Sequence, residues 1–286
     1  MSARSTGSAP ARRSRRARPD AVDASVSFRQ RQLETSRFGI VYDVDGPRIR
    51  LGVVWFVVAA VALWFGIVTT AVLFALVAAL AAAQTATALR SRWCRPDRRV
   101  AAAIAGAVPL GALVGVGMAG AVLLVAAVAA VVVSSALRAK GGDPIVDAGA
   151  AMRASLFSGL AAASMVLLHR VDIGAAITLF LLVSSYEFGD YLVGSGASNR
   201  VEGPAAGIIA VLATTAALAV AEPPPFEGGT VWLFGAIAAA MCPIGQVVAS
   251  AILPRAGAPA RALRRLDSYL VAAPVWLVLM WAGVQG

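Results

Sequence analysis

From Leu51 onward the chain is a succession of apolar runs parted by short polar loops. Crossing the roughly 30 Å hydrocarbon core of a bilayer takes about 17–25 helical residues, and these runs are about that length or twice it. In lipid every backbone N–H and C=O must be paired within the protein, so only helices or a closed barrel can span. The runs are continuous in Ala, Val and Leu and do not alternate. They therefore predict helices, and the fold class they imply is an all-α, polytopic integral membrane bundle. Composition agrees: the 286 residues are 59% hydrophobic and 14% charged, with the charges gathered in the first fifty residues and a few loops. A soluble domain would spread them more evenly.

The runs predict about nine transmembrane helices. Residues 51–89 hold two, turning near Gly66, and 100–137 hold two more, broken at the glycine-rich 115–120. Segments 154–168, 173–192, 204–220, 231–253 and 269–284 supply the rest. Residues 48–286 thus read as the transmembrane domain, with 172–286 carrying the candidate site. Residues 1–47 read as a basic cytoplasmic tail without a secretory signal's apolar core. The first part of that tail has almost nothing to bury and is expected to be largely disordered. A short interfacial helix is expected around 26–40. Arg12, Arg13, Arg15, Arg16 and Arg18 suit anionic membrane lipids. No aromatics are interleaved with them, which argues against nucleic acid as a partner.

Arginine placement orients the bundle. With the N-terminus cytoplasmic, 24 of the 25 Lys and Arg residues fall in the tail or in inner loops, leaving Arg170 outside. The outer loop after Ala221 carries Glu222 and Glu227. That asymmetry is what the positive-inside rule requires of a multi-pass protein of a cell (inner) membrane. Cys94 and Cys242 are far apart and imply no disulfide framework. The lone histidine, His169, reads as structural.

Polar residues inside an apolar span are costly and mark candidate sites. They concentrate in SSYEFGDYLVGSGASNRVEG (184–203), which carries Glu187, Asp190, Arg200 and Glu202. On a helix Glu187 and Asp190 share a face with Ser184, and Tyr191 lies beside them. Two acids so placed can hold a divalent cation and present it to phosphate oxygens. A structural pair neutralised by arginines of neighbouring helices fits the same spacing. In the expected topology these groups, Gln246, and the last inner loop with Arg255, Arg261, Arg264, Arg265 and Asp267 share the cytoplasmic interface. Arginine is suited to bidentate phosphate contacts, so a lipid-phosphate site is the natural expectation.

Three patches resemble one family. RRLDSYLVAAPVW (264–276) resembles the closing signature of the phosphatidate cytidylyltransferases, the CDP-diacylglycerol synthases, through Arg265, Asp267, Ser268, Ala273 and Pro274. EFGDYLVG resembles the family's Asp-x-x-Ala-Tyr-x-x-Gly through Tyr191 and Gly194, with Glu187 in the acid's place. VEGPAAG resembles its Glu-Gly loop through Glu202, Gly203 and Gly207. The resemblance implies an enzyme that joins CTP to phosphatidic acid, releases pyrophosphate and leaves CDP-diacylglycerol, with Mg²⁺ at paired acids. By that resemblance Glu187 and Asp267 are the metal-side acids and catalytic residues, with Asp190 beside them. Arg265 holds phosphate and Ser268 assists at the headgroup, while Tyr191, Arg200, Glu202 and Arg264 complete the substrate-binding set.

The chain also departs from the family pattern. Gln246 follows Gly245 where the family has an acid, and Arg264 replaces the first acid of an Asp-Arg pair. PRAGAPARA lacks the Lys-Arg and His-Gly-Gly stretch, and GASNR stands for a Ser-Pro-x-Lys-Thr block. Two alternatives therefore stay open: a family member that has lost its chemistry and acts as a non-enzymatic membrane protein, and a CTP-dependent lipid or polyprenol kinase. Transport is disfavoured because the polar groups gather at one face and not at the bilayer midplane. Small residues in GAAITLF and GAIAAAM permit close helix packing and a homodimer.

Overall fold

A computed structural model describes residues 48–136, 143–195, 199, 201–227 and 229–285. Of the described residues 83% are helical and none is in a strand. Among the described residues there are nine α-helices: α1 (Arg48–Trp64), α2 (Ile67–Leu89), α3 (Arg98–Ala112), α4 (Val116–Ala136), α5 (Pro144–Val171), α6 (Ile173–Gly194), α7 (Glu202–Ala221), α8 (Thr230–Ile252) and α9 (Tyr269–Gln285). Six of them, α2 and α4 to α8, are long and apolar enough to cross a bilayer. The other three have 17, 15 and 17 residues. The expected tail and its interfacial helix lie outside the described residues.

Local chemistry sets the joints. The α1–α2 turn is made by Gly66 at φ +113°, a conformation that residues with a Cβ rarely adopt. Thr69 and Thr70 donate to the Ala62 and Gly66 carbonyls, so the tight turn leaves those acceptors paired. Gly115, at φ +150°, breaks α3 from α4 as the glycine-rich stretch predicts. Asp97, Asp143 and Asp172 cap α3, α5 and α6 through their carboxylates.

Two expectations need correction. Segment 154–168 is only the apolar part of a 28-residue helix, α5, which begins at the Asp143 cap and the proline that follows it. Much of the presumed polar loop before Ala154 is thus helical. Glu202, expected in a loop, opens α7, because Asn199 Oδ1 accepts from the backbone N–H groups of Val201 and Glu202 (2.9 and 3.1 Å).

The core is built around α5, the most buried of the long helices, against which α2, α3, α4, α6 and α9 pack. Alanines and glycines let the backbones approach closely. By contrast α4 and α7 leave most of their apolar surface outward, as lipid-facing helices do. Contacts between distant segments define the two ends of the bundle. At one end Gln84 Oε1 accepts from the Ala262 N–H (2.8 Å), Arg153 donates to the Ala251 carbonyl (2.7 Å), and Asp147 accepts from the Arg95 N–H. At the other, Thr70 is hydrogen-bonded to His169 (3.2 Å), Arg170 donates to the Leu113 carbonyl (2.8 Å), and the Pro224 backbone lies over Gly174. His169 is thus engaged with Thr70, and both cysteines are free. The arginine-rich loops share the first end, while Arg170, Glu222 and Glu227 belong to the second.

Candidate functional site

The polar residues of α6 lie in its last turns, at the arginine-rich end. Two glycine contacts fix that helix against α7. A Cβ on Gly189 would stand 2.7 Å from the Ala206 carbonyl oxygen, and one on Gly207 would stand 2.7 Å from the Tyr186 ring. Both distances are below any ordinary contact, so α6 and α7 touch backbone to backbone. Tyr186 is fully buried there. Its hydroxyl donates to Gln246 Oε1 on α8 (3.0 Å), and Gln246 Nε2 donates to Asp190 Oδ2 (2.9 Å). A buried chain Tyr186–Gln246–Asp190 thus ties α6 to α8. A charged acceptor makes the last bond the stronger one.

Next to Gln246, Gly245 brings in the segment before α9. A Cβ at that position would collide with the Asp267 carbonyl oxygen, so only glycine lets α8 lie directly on the turn that carries Asp267. Asp267 is buried. Its Oδ1 accepts from the Ser268 N–H (2.8 Å) and, at 3.4 Å, from Ser268 Oγ, while Oδ2 lies 3.9 Å from Arg264 Nη1. Burial pushes the Asp267 carboxyl up to about 6, against the opposing pull of Arg264 and Ser268. Arg264 is held in turn by Ser250 Oγ (3.1 Å) and the Ala256 carbonyl (2.7 Å). It is a bracing residue as well as a neighbouring charge. The loop expected between the last two helices is not a free loop: Ala256, Ala258, Ala260, Leu263 and Leu266 are buried along it.

Glu187 completes the cluster. The residue as a whole is half-buried, but its Oε1 has no solvent access and no hydrogen-bond partner among the described residues. The charges that act on it most are those of Asp267, Arg265 and Asp190. Arg265 lies half-buried with Nη1 3.7 Å from where a Cβ on Gly52 would stand. The Tyr269 hydroxyl is hydrogen-bonded to Ser184, one turn before Glu187.

Glu187, Asp190, Arg264, Arg265, Asp267 and Ser268 therefore come from two distant segments into one neighbourhood, with Gln246 between them. Tyr191 is half-buried beside Asp190, and Glu202 stands in the first turn of α7. Arg200 lies outside the described residues. Tyr186 and Ser250 belong to the network without having been singled out in the sequence. Tyr186 precedes Asp190 by one helical turn, a spacing that could have pointed to it. Nothing local marks Ser250.

Among the described residues no three His, Cys, Asp or Glu side chains are grouped to form a metal cage. Mg²⁺ does not need one. It keeps several waters and takes one or two carboxylates together with substrate phosphates. The orphaned Glu187 oxygen and the neighbouring Asp267 fit that demand in kind. No family model, curated protein or solved structure matches the chain.

Proposed function

We propose that the protein is a divergent CTP:phosphatidate cytidylyltransferase of a cell membrane, working with Mg²⁺ at its cytoplasmic face. The observation that carries this reading is the buried, unpartnered Glu187 oxygen beside Asp267 and Arg265. A buried carboxylate oxygen without a donor is costly, and ligand binding is a physical reason to retain it. The sequence resemblance supplies the substrate class.

In the reaction, an oxygen of the lipid phosphate attacks the α-phosphorus of CTP, and the bond from that phosphorus to the bridging oxygen of the β-phosphate breaks. Pyrophosphate leaves and CDP-diacylglycerol remains. The nucleophile is already anionic, so the protein's share is positioning and charge neutralisation. Glu187 and Asp267 would hold the metal, which neutralises charge on the triphosphate. Arg265 binds phosphate. Arg264 holds Asp267 in place from its anchorage on Ser250 and Ala256. Tyr186 and Gln246 fix the rotamer of Asp190, and Ser268 orients Asp267. The nine-helix span count and the cytoplasmic N-terminus belong to this reading.

One observation favours a second reading, a family member without chemistry. Asp190 is engaged by Gln246, and Asp267 by Ser268 and Arg264, so two of the three acids already have protein partners. Labelled nucleotide separates the alternatives. With purified protein, phosphatidic acid and Mg²⁺, label from the α-phosphate of CTP should enter the lipid and label from the γ-phosphate should not. Transfer of γ-label would make the protein a lipid kinase. No transfer, with no thermal stabilisation by CTP and Mg²⁺, would leave the non-enzymatic reading.

A further inference from the structure

A second feature of the arginine-rich end lies apart from the acidic cluster. The loop between α2 and α3 runs RSRWCRPDRR, residues 90–99. Arg90, Arg92, Arg95, Arg98 and Arg99 are all exposed. Trp93 is 77% exposed, an unusual state for the largest apolar side chain, and Arg92 lies over its ring at 5.0 Å. The loop is held in shape from within. Ser91 N–H donates to the Cys94 carbonyl (2.8 Å), and Trp93 N–H to Ser91 Oγ (3.3 Å). Asp97 accepts from the N–H groups of Arg99 and Val100 (2.7 and 3.2 Å), and Asp147 of α5 accepts from Arg95 N–H. Both acids near the loop are thus engaged by backbone donors, and the five guanidinium groups face outward.

We propose that this loop is a docking surface for anionic phospholipid headgroups. It leaves a helix long and apolar enough to span, so its depth is that of the headgroups. Arginine forks match phosphate oxygens, and an exposed tryptophan with a polar N–H settles at the membrane interface. Nucleic acid fits less well, because a single aromatic offers no platform for successive bases. The proposal does not rest on the cytidylyltransferase reading, and it concerns residues distinct from the basic tail.

Native mass spectrometry of the detergent-solubilised full chain tests it, with phosphatidylglycerol and phosphatidylcholine as probes. The wild type should prefer phosphatidylglycerol. In R92Q/R95Q that preference should fall on the order of fivefold per arginine removed. R92K/R95K, which keeps the charge, should retain most of it. Melting in phosphatidylcholine micelles shows whether each variant is folded; if R92Q/R95Q is not, W93S, which should also weaken the preference, takes its place. An unchanged phosphatidylglycerol preference in a folded loop variant would overturn the proposal. So would tighter binding of a short single-stranded oligonucleotide that the same substitutions abolish.

Discussion

At the scale of single residues, the site combines satisfied and unsatisfied acids, and each predicts a different response. Glu187 holds a buried oxygen without a donor. Replacing it by glutamine removes the charge and keeps the shape, so E187Q should melt no lower than wild type in detergent. A loss of several degrees would mean that the carboxylate is a structural partner after all. Asp267 behaves differently. Its carboxyl titrates near 6 because burial disfavours the ionised form, so the folded state holds the proton more tightly than the unfolded chain does. The stability gained from that proton is full below the ordinary carboxylate range and is lost as pH rises through about 6. The melting temperature of wild type minus that of D267N should therefore fall between pH 4.5 and 7. A flat difference would contradict the burial of Asp267.

At the scale of elements, the site depends on helices that touch at glycine. Gly245 lies against the Asp267 backbone, so G245A must push α8 off the turn that orients Asp267 and Ser268. Overpacking of this kind costs about 1–3 kcal/mol, and thermal melting of the G245A protein should show it. An unchanged melting temperature would mean that α8 and this turn are not in the close contact described. The elements themselves were largely legible in the sequence. Apolar run length located the helices, and glycine located the Gly66 and Gly115 breaks. Apolarity failed at the N-terminal part of α5, where Asp147 and Arg153 made helix look like loop. The start of that helix was written instead in Asp143 and Pro144. Within the site, Glu187 and Asp190 stood out because carboxylates are rare in such surroundings. The bridging role of Gln246 could not be read, since its partners Tyr186 and Asp190 lie far away in the chain. Nor could the bracing of Arg264 by Ser250 and Ala256, which needs the buried path of the last connecting segment.

At the scale of the whole molecule, the described arginine-rich loops gather at one end, and Arg170 with Glu222 and Glu227 lies at the other. If the arginine-rich end faces the cytoplasm, a cysteine placed at Arg92 should be labelled by a membrane-impermeant maleimide only after the cells are opened. One at Glu227 should be labelled in intact cells, both in a C94S/C242S background; the reverse pattern would invert the topology. That arrangement also sets the task of the cluster. In the proposed orientation, acids from the end of α6 and from the turn before α9 would meet arginines where nucleotides and lipid headgroups are both available. The most direct test of that convergence is CDP-lipid formation from CTP, phosphatidic acid and Mg²⁺ by purified wild-type, E187Q and D267N proteins, each shown by melting to be folded. Product from the wild type and a loss of at least a hundredfold in both variants is the expected result, in line with the general cost of removing a charge that stabilises the transition state. Equal turnover in all three, or none in any, would contradict it.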